Sequence, residues 1–230
     1  MSERANIFGR IREALRVSAP PPGSRHHEKS AQFVSEAEAA KHISEWLPAV
    51  GDSFEERVEM FRANALELKA EFQLLGGLSE MEASLRELGK REGWKRVASH
   101  SGELADRARA ALALPGLVTN HGYDVEELEK CDAGISECDA LVAQTGSVLV
   151  STRSSGGRAL SVLPPHHLVL ARRDQLLADL PEAFALLKAK YGSNYPSFIS
   201  FITGPSRTGD IERILVLGAH GPRKLTILCV

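Results

Sequence analysis

Ser79–Asn120 reads SEMEASLRELGKREGWKRVASHSGELADRARAALALPGLVTN, and its rhythm decides the fold. SEMEASLRELGKREG has the apolar spacing of a helix, and WKRVASH that of a short strand. GELADRARAAL is a second helix and GLVTN a second strand. The same alternation extends outward on both sides. Ser53 is an N-cap for FEERVEMFRANALELKAEF, whose Phe54, Val58, Phe61, Ala65 and Leu68 form one stripe, and QLL follows as a short apolar run before Gly76-Gly77. Downstream come ALVAQ, SVLVST, HHLVLA, the helical LPEAFALLKAK, then SFISFI and KLTILCV. Strands alternating with helices predict an α/β fold of three layers, α/β/α, around a mostly parallel sheet covered on both faces. QTGS, Gln144–Ser147, interrupts two strand-like runs with a glycine and predicts a hairpin, hence one antiparallel pair.

The 230 residues, 43% hydrophobic and 25% charged, suffice for one core. A formal net charge of -2 provides no global field for nucleic acid. No apolar run approaches the roughly 18–20 residues of a membrane span. MSERANIFGRIREALRV lacks the apolar centre of a secretory signal, so a cytoplasmic location is expected. Within it Ile7, Ile11 and Leu15 recur every fourth residue among arginines, predicting a basic amphipathic helical arm over residues 1–17. SAPPPGS stops that helix, residues 18–52 form a linker, and residues 53–230 form the α/β domain. Cys131, Cys138 and Cys229 form no C-x-x-C pair, so no metal site is expected. Neither G-x-x-x-x-G-K-[ST] nor G-x-G-x-x-G occurs, and no G-x-S-x-G elbow supports nucleophilic catalysis.

Polar chemistry concentrates in two segments. In Phe201–Pro222, FITGPSRTGDIERILVLGAHGP, the strand gives way at Thr203 and Gly204 to Ser206, Arg207 and Thr208, and helical spacing resumes from Asp210. A helix start there offers unpaired N–H groups beside two hydroxyls and an arginine, which make an anion cradle; Ser206 and Asp210 serve equally as helix caps. His220, between Gly218-Ala219 and Gly221-Pro222, is a weak acid/base candidate. The second segment holds Thr145, Gly146 and Ser147, a turn with exposed backbone donors, then the flexible RSSGGR carrying Arg153 and Arg158. One of His166 and His167 faces the sheet interior. Ligands of open α/β sheets lie at the carboxyl ends of strands, and there Arg158 and Arg207 are expected to converge on one small anion under the Thr145–Ser147 turn.

GISECDALVAQTGSVLV, RALSVLPPHHLVL and FITGPSRTGDIERILVLGAHGP resemble the lactate-utilization family, the LUD domain proteins, and in particular its C-component group; the similarity spans Ser53–Val230. The resemblance implies the sheet shared by ribose-5-phosphate isomerases, glucosamine-phosphate deaminases and CoA transferases. It also implies a role in oxidising L-lactate to pyruvate alongside two larger iron–sulfur subunits, with no cofactor in this chain. Relatives often have A-E-T-G where this chain has Ala143-Gln144-Thr145-Gly146. The Gln144 amide cannot replace a carboxylate nucleophile, which speaks against covalent CoA transfer. A phosphosugar isomerase or CoA-transferase-like enzyme on the same fold, or a pure scaffold, are the alternative readings.

Overall fold

The computed structural model describes residues 48–208, 216–218 and 220–230, together with the single positions Arg12 and Arg16. The arm expected over residues 1–17 and the linker up to residue 47 otherwise lie outside them, as does the helix expected from Asp210.

In chain order the elements are α1 (Phe54–Glu67), β1 (Glu71–Leu74), α2 (Leu78–Glu92), β2 (Val97–Ser99), α3 (Glu103–Leu112) and β3 (Gly116–Val118). Next come α4 (Val125–Glu129), β4 (Ala133–Glu137), β5 (Ala140–Val142), a 3-10 turn (Ala143–Thr145), β6 (Ser147–Ser151) and β7 (His166–Ala171). The chain closes with β8 (Leu176–Leu177), α5 (Leu180–Tyr191), β9 (Ile199–Ile202), β10 (Arg207–Thr208), β11 (Val216–Leu217) and β12 (Lys224–Cys229). Ser53 caps α1 as expected: its Oγ accepts from Glu56 N at 3.2 Å, and the Glu56 carboxylate accepts from Ser53 N at 3.1 Å. Gly93, at φ 71°, stops α2 in a left-handed turn that glycine adopts without strain.

Six strands form a wholly parallel sheet in the order β1-β12-β7-β4-β2-β3, so the α/β reading stands. Every residue of β7 is buried, because both faces are covered. On one face, Met81, Leu85 and Leu88 of α2 with Leu104 and Ala108 of α3 pack on Leu168, Leu170 and Leu228. The other face meets what the sequence reading lacked, a second sheet in the order β8-β5-β6-β9. Its inner residues Leu141, Val148 and Val150 join Phe61 of α1 and Val169, Leu225 and Ile227 in one core. Its outer residues Ala140, Val142 and Leu149 are covered by Ala183, Leu187 and Tyr191 of α5. β5 and β6 pair antiparallel across the QTGS turn, as predicted. SFISFI, expected within the parallel sheet, is instead β9, antiparallel to β6 at the edge of the second sheet. Among the described residues no helix is long and apolar enough to cross a membrane.

Candidate functional site

A cavity of about 260 Å³ opens between the two sheets. Its floor is His167 and Leu225, which stand side by side in the β7–β12 register at the amino ends of those strands. Its walls are Ser161 and Val162 from the loop before β7, Phe198 just before β9, Ser200 and Ile202 on it, Thr203–Ser206, and His220–Pro222. The two motifs singled out in the sequence therefore do meet. They meet at the amino edge of the parallel sheet, not at the carboxyl edge where the reading placed them.

His167 is the residue the sequence left undecided. Alternation along β7 sends it toward the second sheet and sends His166 to the opposite face, so both rings are buried rather than one. His166 Nε2 lies 2.9 Å from Thr226 Oγ1, and its ring meets Trp94 edge-on at 5.1 Å. His167 Nε2 lies 2.8 Å from Ser136 Oγ, while its Nδ1 is buried without a partner. Burial, with a smaller push from His166, lowers its pKa to about 3, so the ring is neutral at physiological pH. Beside it on β4, Gly134 has no room for a Cβ, because the Leu160 carbonyl presses against it. That contact lays the loop carrying Ser161 and Val162 over the cavity.

The wall from Thr203 to Thr208 differs from the expected helix start. Arg207 and Thr208 pair antiparallel with Leu217 and Val216 as a two-stranded ribbon. Ser206 N donates to Pro222 O at 2.9 Å and Ser206 O accepts from Gly218 N at 2.8 Å, so the Ser206 N–H is engaged within the protein, and the helix start expected from Asp210 lies outside the described residues. Gly204 takes φ 83°, and its Cβ would stand 2.8 Å from Leu68 O at the end of α1, which fixes glycine there. The exposed Arg207 donates to Thr203 O at 3.5 Å. Arg158 donates to Ser197 O at 2.7 Å and stacks over the Phe198 ring at 5.8 Å. Each arginine thus flanks a lining residue, and neither lines the cavity itself. His220 is exposed among the wall residues.

The Thr145–Ser147 turn is covered, not open. Asn64 of α1 donates to Ala143 O at 2.8 Å and Gln144 O at 3.0 Å, and Gly146 at φ 63° leaves no space for a Cβ beside Asn64. Thr145 Oγ1 is buried without a partner, and the Gln144 amide donates to Pro48 O at 3.1 Å. Only Ser147 reaches toward the cavity wall, its Oγ 2.8 Å from Thr203 Oγ1.

Two further polar clusters frame the domain. At the carboxyl edge Glu137 Oε1 accepts from Leu104 N at 2.9 Å and Ala105 N at 3.1 Å, placing a carboxylate on the first turn of α3. His100 Nε2 accepts from Glu137 N at 2.9 Å, and burial, partly offset by the Glu137 charge, holds its pKa below the usual value. Beneath the RSSGGR loop, Asp139 accepts from Lys190 Nζ at 2.6 Å, Tyr191 Oη at 2.7 Å and Ser154 Oγ at 2.8 Å. Burial works against the Asp139 charge, but these bonds outweigh it and hold the carboxyl below its usual range.

Among the described residues no three His, Cys, Asp or Glu side chains are grouped to hold a metal ion. All three cysteines are buried free thiols; burial pushes Cys229 up to about 11 and also raises Cys131 and Cys138.

The profile of the LUD domain family matches residues 28–230. The chain belongs to the LUD domain family. Lactate utilization protein C of Halalkalibacterium halodurans is 35% identical over 108 residues, 46% of this chain and 47% of that protein, so the match spans about half the length of that relative. Lactate utilization protein C of a Geobacillus strain is 26% identical over 204 residues, covering 83% of this LUD chain and 84% of its own. A crystal structure of a DUF162 family protein from Deinococcus radiodurans superposes with a TM-score of 0.62 at 22% identity, covering 78% of this chain and 99% of that one. The last likeness supports the fold of the LUD domain.

Proposed function

We propose that this chain is the component without iron–sulfur clusters of a cytoplasmic lactate-utilization system that oxidises L-lactate to pyruvate, acting with two iron–sulfur subunits. Its own part is to bind a small organic ligand in the cavity over His167, with Arg158 and Arg207 as the nearby cations for an acid group. The observation that carries this reading is the junction of the two family-like segments over one buried imidazole, that of His167. A concave, mostly apolar site with a few convergent polar groups is the usual form of a small-molecule site. The relatives named lactate utilization protein C supply the metabolic setting. A carboxylate nucleophile, which the CoA-transferase alternative needs, does not stand at Gln144, whose amide is engaged with Pro48.

Deleting the gene and scoring growth on L-lactate as the only carbon source tests the role, and a tagged chain purified from its own cells tests the partners. Loss of growth restored by the wild-type gene, with two cysteine-rich proteins co-purifying, is the expected result. Undiminished growth of the deletion strain overturns the reading.

A further inference from the structure

The face where α5 lies against β9 carries chemistry that the cavity does not use, and the reading of it rests on the proposed subunit role. We infer that this face docks an acidic segment of a partner protein, one of the subunits with which the chain acts. Residues 151–165 and 184–202 build the face; they hold Arg153, Arg158, Lys188 and Lys190 and not one Asp or Glu, in a chain whose formal net charge is -2. The two stretches pack together, since Thr152 N donates to Phe198 O at 3.1 Å, Arg158 donates to Ser197 O at 2.7 Å, and Arg153 lies over the Tyr191 ring at 5.3 Å. The nearest acids are occupied: Asp139 is fully buried beneath the face and bonded to Lys190, and Glu182 accepts from Ala178 N at 2.8 Å. Two aromatic rings stand open to solvent among these cations. Phe184 is 58% exposed although its ring meets Phe201 at 5.6 Å, and Tyr195 is 50% exposed beside Tyr191 at 6.4 Å. Phe201 and Tyr191 belong to one cluster under α5, so both exposed rings border the same surface. Lys188 follows Phe184 by one helical turn on the same side of α5. Exposed aromatic rings with arginine are the usual anchors of protein interfaces, and the sign of the surrounding charge selects an acidic partner. Nucleic acid fits less well, because four cations neutralise few phosphates and the net charge of the chain repels them.

The tagged full chain, purified from its own cells grown on L-lactate and treated with a carbodiimide, reads the contact directly, because that reagent joins a lysine to a touching carboxylate without a spacer. Adducts between Lys188 and an Asp or Glu of a co-purifying cysteine-rich protein are expected. Phe184→Ala is expected to cut retention of that protein roughly tenfold. Arg153→Glu is expected to weaken retention as well, and the wild-type complex to loosen as salt rises, with both variants keeping the wild-type melting temperature. Leu66→Ala, at an exposed position of α1, is the control and should retain the partner fully. Adducts of Lys188 confined to carboxylates of this chain, within one copy or between two, overturn the inference, as does the absence of any adduct at Lys188. Retention unchanged in both variants overturns it too, as does binding of the purified chain to phosphatidylserine vesicles or single-stranded DNA that is lost in Phe184→Ala. Growth of the deletion strain on L-lactate is scored without reference to any one face, so failure of the docking face is distinguishable from failure of the lactate role.

Discussion

Replacing Asp139 perturbs a fully buried carboxylate that ties the serine loop before Arg158 to α5. Its side chain has no exposed surface, whereas Lys190 is 45% exposed. In Asp139→Ala, Tyr191 Oη keeps Ser151 Oγ at 2.8 Å; Ser154 Oγ still accepts from Ser151 N at 2.9 Å, but as a donor it is left with long contacts to Ser151 Oγ at 3.3 Å and Ser151 O at 3.4 Å. One buried and one half-buried hydroxyl thus lose a charged acceptor, at about 1.5–3 kcal/mol each before this partial re-pairing. Lys190 swings into water at little cost, because exposed ion pairs contribute about 0–1 kcal/mol. The net loss expected is about 2–4 kcal/mol for Asp139→Ala, about half that for Asp139→Asn, and below about 1 kcal/mol for Lys190→Met. Urea unfolding followed by tryptophan fluorescence measures all three, with unchanged slope as the sign that stability alone has moved. The pH dependence gives a second check. Because the folded carboxyl is held below its unfolded value of about 3.9, its contribution is complete above that pH and is lost as pH falls through the folded value. Asp139→Asn should therefore be less stable than wild type at neutral pH and converge on it in acid. A loss in Asp139→Ala no larger than that in Lys190→Met, or parallel acid profiles for Asn and wild type, would refute the network as the anchor.

Gly146→Ala must hold φ 63° and push a Cβ into Asn64 at 2.8 Å, so a loss of about 1–3 kcal/mol is expected, read as a lower melting temperature. His166 and His167 have folded pKa values of about 4 and about 3, both lowered mainly by burial. The unfolded chain protonates first, near pH 6.5, so their contribution is complete above that pH and is lost as pH falls toward the folded values; His167→Gln should flatten the stability profile between about pH 6.5 and 3. Glu137→Ala frees two backbone donors at the start of α3, and the variant, unlike wild type, should gain melting temperature with phosphate at constant ionic strength.

The parallel sheet was legible because each of its strands is short, apolar and set between helices with their own end signals. Ser53 and Glu56 announce α1 in four letters, and HHLVLA is apolar along its core because both faces are buried. The second sheet was not legible for a related reason. SVLVS and SFISFI are as apolar as the parallel strands, since α5 covers their outer face as α2 and α3 cover the main sheet. Composition reports burial on two sides, not which sheet does the burying. The ribbon at Arg207–Thr208 was not legible because TGPSRTGD holds the residues of a helix cap and of a turn alike, while Pro222 and Gly218 bond Ser206 from a dozen or more residues away.

The position of the site follows from what occupies each edge. In an open parallel sheet the carboxyl edge attracts anions because helix N-termini gather there, above all where neighbouring strands connect in opposite directions. β2 and β4 are such a pair, since β2 leads on to β3 on one side and β4 to β7 on the other. The carboxylate of Glu137 already fills the first turn of α3, Gly102 lacks space for a Cβ beside it, and Gly156 at φ 69° is pressed against His100 with its carbonyl bonded to Thr119 Oγ1 at 2.8 Å. The protein supplies its own anion at that crevice and closes it with the RSSGGR loop. That loop then runs back through Arg158 to Ser161 and Val162 at the opposite edge, where β9 and the turn before β12 complete the wall. The amino-edge cavity is therefore a consequence of the second sheet: without β9 facing β7 and β12, His167 would look onto helix or solvent. The same element that sequence periodicity could not place is the one that creates the candidate site.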